Sequence, residues 1–113
     1  MATNTHSTIV ETTRKRMLHG IDQAMDLIVL YGSRKARGLL IHGEHLSEDF
    51  YNLKTRLAGD ILQKFANYGI RAALVVEPKY LQGRFGELAL ELNRGGDFRI
   101  FHEAVSAREW LSA

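Results

Sequence analysis

The sequence predicts an α/β protein with a mixed, two-layer arrangement: a mostly parallel sheet of four to five strands and four helices. Two observations support this class. Short apolar runs without polar alternation, typical of strands buried on both faces, alternate with longer segments in which apolar residues recur at helical spacing. The resulting order is strand, helix, strand, helix, strand, helix, strand, helix, which favours parallel strands joined by crossover helices.

The first part of the chain is predicted to form two strands and one helix. Residues 7–13 (STIVETT) have the β-branched content of an edge strand. The segment GIDQAMDLIVLYG follows as a helix, with Gly32 as a left-handed cap at its end. The apolar run Gly38–His42 is typical of a strand buried on both faces.

The end of this first helix is apolar on every side. A helix normally presents one polar face to water, so the turn is either sunk into the core or covered by a second chain. The sequence therefore defines a candidate homodimer or partner interface made of Leu27, Val29, Leu30 and Tyr31.

The middle of the chain is predicted to form one long helix that begins at Ser47 as its N-cap and ends at Gly69. Gly59 lies inside this helix, where glycine costs about 1 kcal/mol relative to alanine by intrinsic propensity. We expect this cost to be offset by close approach of the helix backbone to the sheet or to another helix.

The last part of the chain is predicted to form two strands and two helices. Residues 70–76 are a buried strand, residues 80–93 a helix, and Phe98–Phe101 the final strand. The last helix is expected to begin at the capping box formed by Ser106 and Glu109. The residues Val105 and Trp110 occupy the flanking apolar positions.

Composition limits the class of protein. The 113 residues, 45% of them apolar, fit a single domain spanning residues 1–113, with the first seven residues expected to be loose. No cysteine is present, and neither a leader peptide nor a membrane-spanning run is visible, so we expect a cytoplasmic protein that does not contact membrane. The net charge is +2, and the excess of basic residues is confined to two separate clusters, residues 14–16 and 34–37. Because these clusters need not form one patch, nucleic-acid binding is an unfavoured hypothesis.

Polar residues follow three of the predicted strands, at the edge where open α/β sheets place their sites. The candidate residues of this edge are His42, Glu44, His45, Ser47, Glu77 and His102. Histidine and glutamate could bind zinc or supply an acid and a base, but their spacing matches no metal motif. The sequence contains no nucleotide-binding glycine motif, so it predicts no cofactor. It also contains no G-x-S-x-G elbow, so enzymatic activity is uncertain and a non-enzymatic protein is favoured.

The run FYNLKTRLAGDILQKFANYG resembles a small bacterial family known as domain of unknown function 4180. The similarity extends over roughly residues 20–111, with a departure at 76–78, where the family tends to have Gly-Asp. The matching positions in the central run are Phe50, Leu53, Lys54, Thr55, Leu57, Ala58, Gly59, Ile61, Leu62, Gln63, Lys64, Phe65, Asn67 and Tyr68. The resemblance implies a fold but no activity, because none is assigned to the family.

The order of elements also resembles the STAS domains of anti-sigma-factor antagonists, which bind partner proteins and are switched by phosphorylation of a serine at the start of a helix. Ser47 occupies the corresponding place, although the family's Asp-Ser-Ser-Gly loop is absent and simple N-capping is the favoured interpretation. The apolar end of the first helix and the lack of assembled catalytic groups favour a non-enzymatic, STAS-like regulatory or protein-interaction module, which binds either a partner protein or a second copy of itself. The alternative is a small enzyme, or a ligand- or metal-binding protein, that uses the histidine-rich edge.

Overall fold

A computed structural model describes residues 8–113 and contains, within that range, one four-stranded sheet and five helices. All strand pairs are parallel, and the strands lie side by side in chain order. The strands are β1 (Ile9–Glu11), β2 (Gly38–His42), β3 (Ala72–Val75) and β4 (Phe98–Phe101); the helices are α1 (Ile21–Ser33), α2 (Glu48–Tyr51), α3 (Leu57–Asn67), α4 (Gly83–Leu92) and α5 (Ala104–Ser112). The α/β class and the parallel sheet are confirmed.

The side chains of β2 show how the layers are arranged. Leu39 and Ile41 belong to the larger apolar core, which also contains buried residues of α1, α2, α3 and α4. Leu40, between them, points to the opposite face and packs with Ala107 and Leu111 of α5. Because alternate residues of a strand face opposite sides, four of the described helices cover one face of the sheet, and within the described residues α5 alone covers the other.

The predicted long helix from Ser47 to Gly69 is wrong, because the chain bends sharply within it. After α2, residues 53–55 form a 3-10 turn, and Arg56 adopts a left-handed conformation with φ 65° before α3 begins. Polar side chains compete here for the backbone groups that a helix would use. Asn52 Oδ1 accepts from the N–H of Lys54 at 3.1 Å, and the Thr55 hydroxyl donates to the carbonyl of Asp49 at 2.6 Å.

The bend also changes the interpretation of Gly59. This residue lies in the first turn of α3, faces water, and has no atom within 4 Å of the position that a Cβ would take. The expected close approach of the backbone is therefore wrong, and no packing contact within the described residues offsets the glycine. The predicted end at Gly69 is confirmed, since Gly69 has φ 67° just beyond α3.

Replacing Gly59 with alanine is expected to raise the free energy of unfolding by up to about 1 kcal/mol, because alanine favours the helix and meets no neighbour. Urea unfolding followed by circular dichroism measures this change. The matched control is Gly86→Ala, since a Cβ there would lie 2.5 Å from the carbonyl oxygen of Leu81. A loss of stability in Gly59→Ala would contradict the prediction.

Two predicted helix ends differ from those observed. The helix α1 continues through Gly32, and the left-handed residue beyond it is Lys35, with φ 51°. The helix α5 begins at Ala104, directly after β4, so Ser106 lies within its first turn and makes no capping bond. The capping-box prediction is wrong because the short connection from β4 decides where α5 starts. Val105 consequently faces water, and Trp110 packs near Phe101.

Candidate functional site

A cleft of about 220 Å³ lies at the carboxyl edge of the sheet, beyond the ends of β2, β3 and β4. Parallel strands end at the same edge, so side chains distant in sequence meet there. Four of the six edge residues predicted from the sequence line it, together with two tyrosines: His42, Glu44, Glu77, His102, Tyr51 and Tyr80. The structure thus brings together most of the predicted edge.

His42 is held by a chain of polar contacts that crosses the sheet. Its Nε2 lies 3.0 Å from Oε1 of Glu11, the last residue of the neighbouring strand β1. Arg108 of α5, on the opposite face, donates from Nη2 to the same Oε1 at 2.9 Å and from Nη1 to Oε2. With Nε2 engaged by Glu11, the other ring nitrogen, Nδ1, is the atom of His42 that remains for a ligand.

The charge of Glu11 supports this arrangement. The pKa of Glu11 is lowered from its usual value, mainly by the hydrogen bond to Arg108. Partial burial raises this pKa, and the hydrogen bond to His42 lowers it further. The same contact raises the pKa of Arg108. Glu11 is therefore a carboxylate at neutral pH and can accept the Nε2 proton of His42.

His45 lies behind the cleft instead of lining it. The residue is only 8% exposed, and its Nδ1 lies 2.9 Å from the hydroxyl of buried Thr12. That hydroxyl also accepts from the backbone N–H of His42 at 3.0 Å, so it has its own proton to donate to His45. His45 therefore supports the position of His42, and its ring meets that of His42 edge-on at 5.7 Å.

Ser47 is also outside the cleft. It precedes α2, as expected for an N-cap residue, but its side chain makes no capping hydrogen bond. The capping prediction for Ser47 is therefore wrong. Its Oγ is buried without a hydrogen-bond partner within the described residues, and phosphorylation of Ser47 stays a prediction.

Two stacked tyrosines form one wall of the cleft. The rings of Tyr51 and Tyr80 are 4.0 Å apart and nearly parallel, and Tyr51 donates its hydroxyl to the carbonyl of Gly43 at 3.1 Å. Burial, followed by the proximity of Tyr80, raises the pKa of Tyr51 above its usual value, so Tyr51 is a neutral hydroxyl at neutral pH. The close contact requires a small residue at Gly43, where a Cβ would lie 2.7 Å from the Tyr51 oxygen.

Sequence reasoning missed three residues of this site: Glu11, Tyr51 and Arg108. Glu11 lay inside the predicted strand 7–13 and is a strand-end carboxylate only because β1 ends two residues earlier, whereas Tyr51 lay inside the predicted long helix. Arg108 carries no local signal, because 97 positions separate it from the carboxylate it contacts.

The candidate interface on α1 is largely part of the protein's own core. Leu27 is 1% exposed, and Leu30 and Tyr31 are half-buried against the apolar core. Only Val29 of the four remains open to water, with 67% of its surface exposed. Burial within the chain therefore explains most of the apolar turn, and a homodimer stays a prediction.

Within residues 8–113, no three histidine, aspartate or glutamate side chains come together as a metal-binding group. None of the helices in that range has the length and apolar character needed to cross a membrane.

The fold and the cleft define an α/β domain with an open parallel sheet and a polar cavity at its carboxyl edge. The family described as "Domain of unknown function (DUF4180)" matches residues 3–111, and the chain belongs to that family. No curated protein and no solved structure matches the chain. The family resemblance is thus confirmed, whereas the STAS-like fold is not.

Proposed function

We propose that this domain binds a small polar molecule in the cleft at the carboxyl edge of its sheet. The proposal is supported by the convergence of polar side chains from the ends of three strands on one cavity of about 220 Å³. Ligand sites are typically concave, with a few polar groups that fix the orientation of the ligand.

His42 is the central residue of the proposed site. Its orientation is fixed by Glu11, and Nδ1 of the neutral ring can accept a hydrogen bond or a proton from a ligand. Glu44, Glu77 and His102 supply further polar contacts around the same cavity. The neutral hydroxyl of Tyr51 already donates to Gly43, so Tyr51 serves as an apolar wall.

The lining offers groups for binding and for proton transfer. Among the described residues, the lining includes no serine, threonine, cysteine or lysine, so a nucleophile in this cleft would have to be a carboxylate, an imidazole or a tyrosine hydroxyl. If the domain catalyses a reaction, the chemistry that the geometry supports best is proton transfer through His42, with Glu11 stabilising the charged ring. An enzyme of this kind stays the alternative to a binding protein.

We expect a panel of small metabolites, comprising hydroxy acids, amino acids, sugars, sugar phosphates and nucleosides, to contain at least one class that binds this cleft. Titration followed by ¹H–¹⁵N spectra would show saturable shifts of the amide signals of Gly43, Val76 and Tyr80. The variant His42→Gln should weaken that binding about tenfold, which corresponds to the loss of one good hydrogen bond.

The matched control is His19→Gln, because His19 is exposed and does not line the cleft. Equal affinity in the His42 and His19 variants, or shifts confined to other surfaces, would contradict the proposal. The absence of any saturable shift across the panel at millimolar concentrations would contradict it as well.

A non-enzymatic, STAS-like module that works by protein contact stays the alternative role, and its main support is now the single exposed side chain of Val29. Sedimentation over a wide range of protein concentrations tests its self-association. A concentration-dependent dimer that Val29→Asp disrupts would favour this role. A monomer at every concentration would remove the homodimer.

A further inference from the structure

A second hollow, of about 300 Å³, adjoins the cleft and shares Tyr51 and Tyr80 with it. Its charged lining residues are Lys54, Lys79 and Arg84, and we call it the basic hollow. Three separate segments supply these cations: the turn after α2, the turn after β3, and the first turn of α4. Among residues 8–113, no carboxylate lines the hollow.

The sharp bend after α2 is what adds Lys54 to this group. In a continuous helix, Lys54 would lie on the outward face, away from the apolar stripe. In the observed 3-10 turn its backbone N–H is fixed by Asn52 Oδ1, and both residues line the basic hollow. Gln82, the residue that precedes α4, lines the same space.

The three cations make little contact with acidic groups inside the hollow. Within the described residues, Lys54 and Arg84 make no ion pair, although Arg84 also lines a neighbouring depression together with Glu87 and Glu91. Lys79 has one long contact, 4.0 Å from its Nζ to Oε2 of Glu77, between two largely exposed side chains, and such a contact contributes little. Like charges that surround one concave space repel one another, and an anion placed among them relieves that repulsion.

We infer that the ligand of the cleft carries an anionic group, a phosphate or a carboxylate, and that Lys54, Lys79 and Arg84 bind this group in the basic hollow. The inference rests on the proposed function, since it assigns two parts of one ligand to two adjoining spaces. The polar part lies by His42 in the cleft, and the anionic part lies beyond the Tyr51–Tyr80 wall.

The chemistry of the two spaces supports this division. The cleft contains Glu44 and Glu77 beside two histidines, so it disfavours a strongly anionic group. The described residues that line the basic hollow are all cationic or neutral. Arginine and lysine are the residues that bind phosphate and carboxylate best, through charge-assisted hydrogen bonds.

The first experiment titrates the protein with inorganic phosphate and, separately, with acetate, at constant ionic strength. We expect one of the two anions to cause saturable shifts of the amide signals of Lys79, Gln82 and Arg84. The anion that saturates at the lower concentration identifies the group. The double variant Lys54→Gln/Arg84→Gln should weaken this binding by about tenfold or more.

The matched control removes the same two charges elsewhere, in Lys64→Gln/Arg94→Gln. Neither residue lines the basic hollow, and Arg94 lies at the far end of α4 from Arg84. Full affinity in the control supports a built site. Equal losses in the two double variants would overturn the inference, because they would reflect net charge alone.

The second experiment separates this inference from the proposed function. His42→Gln should leave the binding of inorganic phosphate or acetate unchanged, whereas Lys54→Gln/Arg84→Gln should weaken the metabolite found to bind the cleft. If the cleft binds only uncharged molecules, or if the double variant leaves the affinity for the cleft ligand unchanged, the inference is wrong and the proposed function stands. If no metabolite shifts the cleft signals, both are wrong.

Discussion

Shortening Leu111 to alanine is expected to lower the free energy of unfolding by about 2–5 kcal/mol, the range for a buried leucine that leaves a cavity. Leu111 is 0% exposed and lies between α5 and the sheet, where it packs in a cluster with Leu40 and Ala73. This cluster is small, because α5 alone covers its face of the sheet. Urea unfolding followed by the fluorescence of Trp110, the neighbouring residue, measures the loss.

A second substitution makes this prediction more specific. A Cβ added at Gly38 would lie 2.8 Å from Cδ2 of Leu111, so Gly38→Ala should destabilise the protein by about 1–3 kcal/mol through overpacking. When Leu111 is already alanine, the atom nearest to that Cβ is gone. The double variant should therefore lose less stability than the sum of the two single variants, and the difference should reach about 1 kcal/mol.

Additive losses would contradict the packing at Leu111. If Leu111→Ala fails to fold, Leu111→Val provides a milder change at the same position. Its loss should be smaller, and it should still couple to Gly38→Ala.

Replacing Glu11 with glutamine is expected to lower the free energy of unfolding at neutral pH by about 1–2 kcal/mol, because Arg108 loses a bidentate carboxylate and His42 loses its charged acceptor. The value stays modest since the Arg108 side chain is 46% exposed, where water screens the ion pair. Chemical unfolding at a series of pH values measures the effect.

The pH dependence has a defined sign. The pKa of Glu11 is lower in the folded protein than its usual value of 4.5, so its stabilising contribution is fully present above that value. The contribution disappears as the pH falls through the lowered pKa. The difference between wild type and Glu11→Gln should therefore be largest at neutral pH and shrink in acid.

The matched control is Glu109→Gln, which makes the same chemical change at an exposed position of α5. It should cost little at any pH. A difference between wild type and Glu11→Gln that stays constant in acid would contradict the role of the ionised carboxylate.

The same variant connects stability to the proposed site. Without the carboxylate, His42 no longer has the partner that fixes its ring, so Glu11→Gln should also weaken binding in the cleft. Anion binding in the basic hollow should stay unchanged, because Glu11 does not line it.

Local pattern predicted the alternation of strands and helices well. The strands at Gly38–His42 and Phe98–Phe101 were predicted with their observed bounds. The apolar run at Gly38–His42 records burial on both faces, whereas Phe98–Phe101 is an edge strand in which only Ile100 is buried. The carboxyl edge was predicted too, since His42, Glu44, Glu77 and His102 follow strands that must end on one side of a parallel sheet.

The prediction failed where local signals compete. The spacing of apolar residues from Phe50 to Phe65 fits one helix, but the side chains of Asn52 and Thr55 satisfy backbone groups in a tight turn instead. That turn decides where Tyr51 and Lys54 lie. The cleft wall and the basic hollow therefore depend on a bend that helical periodicity does not reveal.

The sequence alone determined the class of fold, the buried strands, the edge at which polar residues gather and the family to which the chain is similar. Tertiary structure decided which helices cover which face of the sheet. It also decided that Leu27 is buried while Val29 is exposed, and that Glu11, itself bound by Arg108, contacts His42. The physical reason is distance along the chain: periodicity records the environment of neighbouring residues, whereas the partners of Glu11 lie 31 and 97 positions away and meet only when the strands and α5 pack.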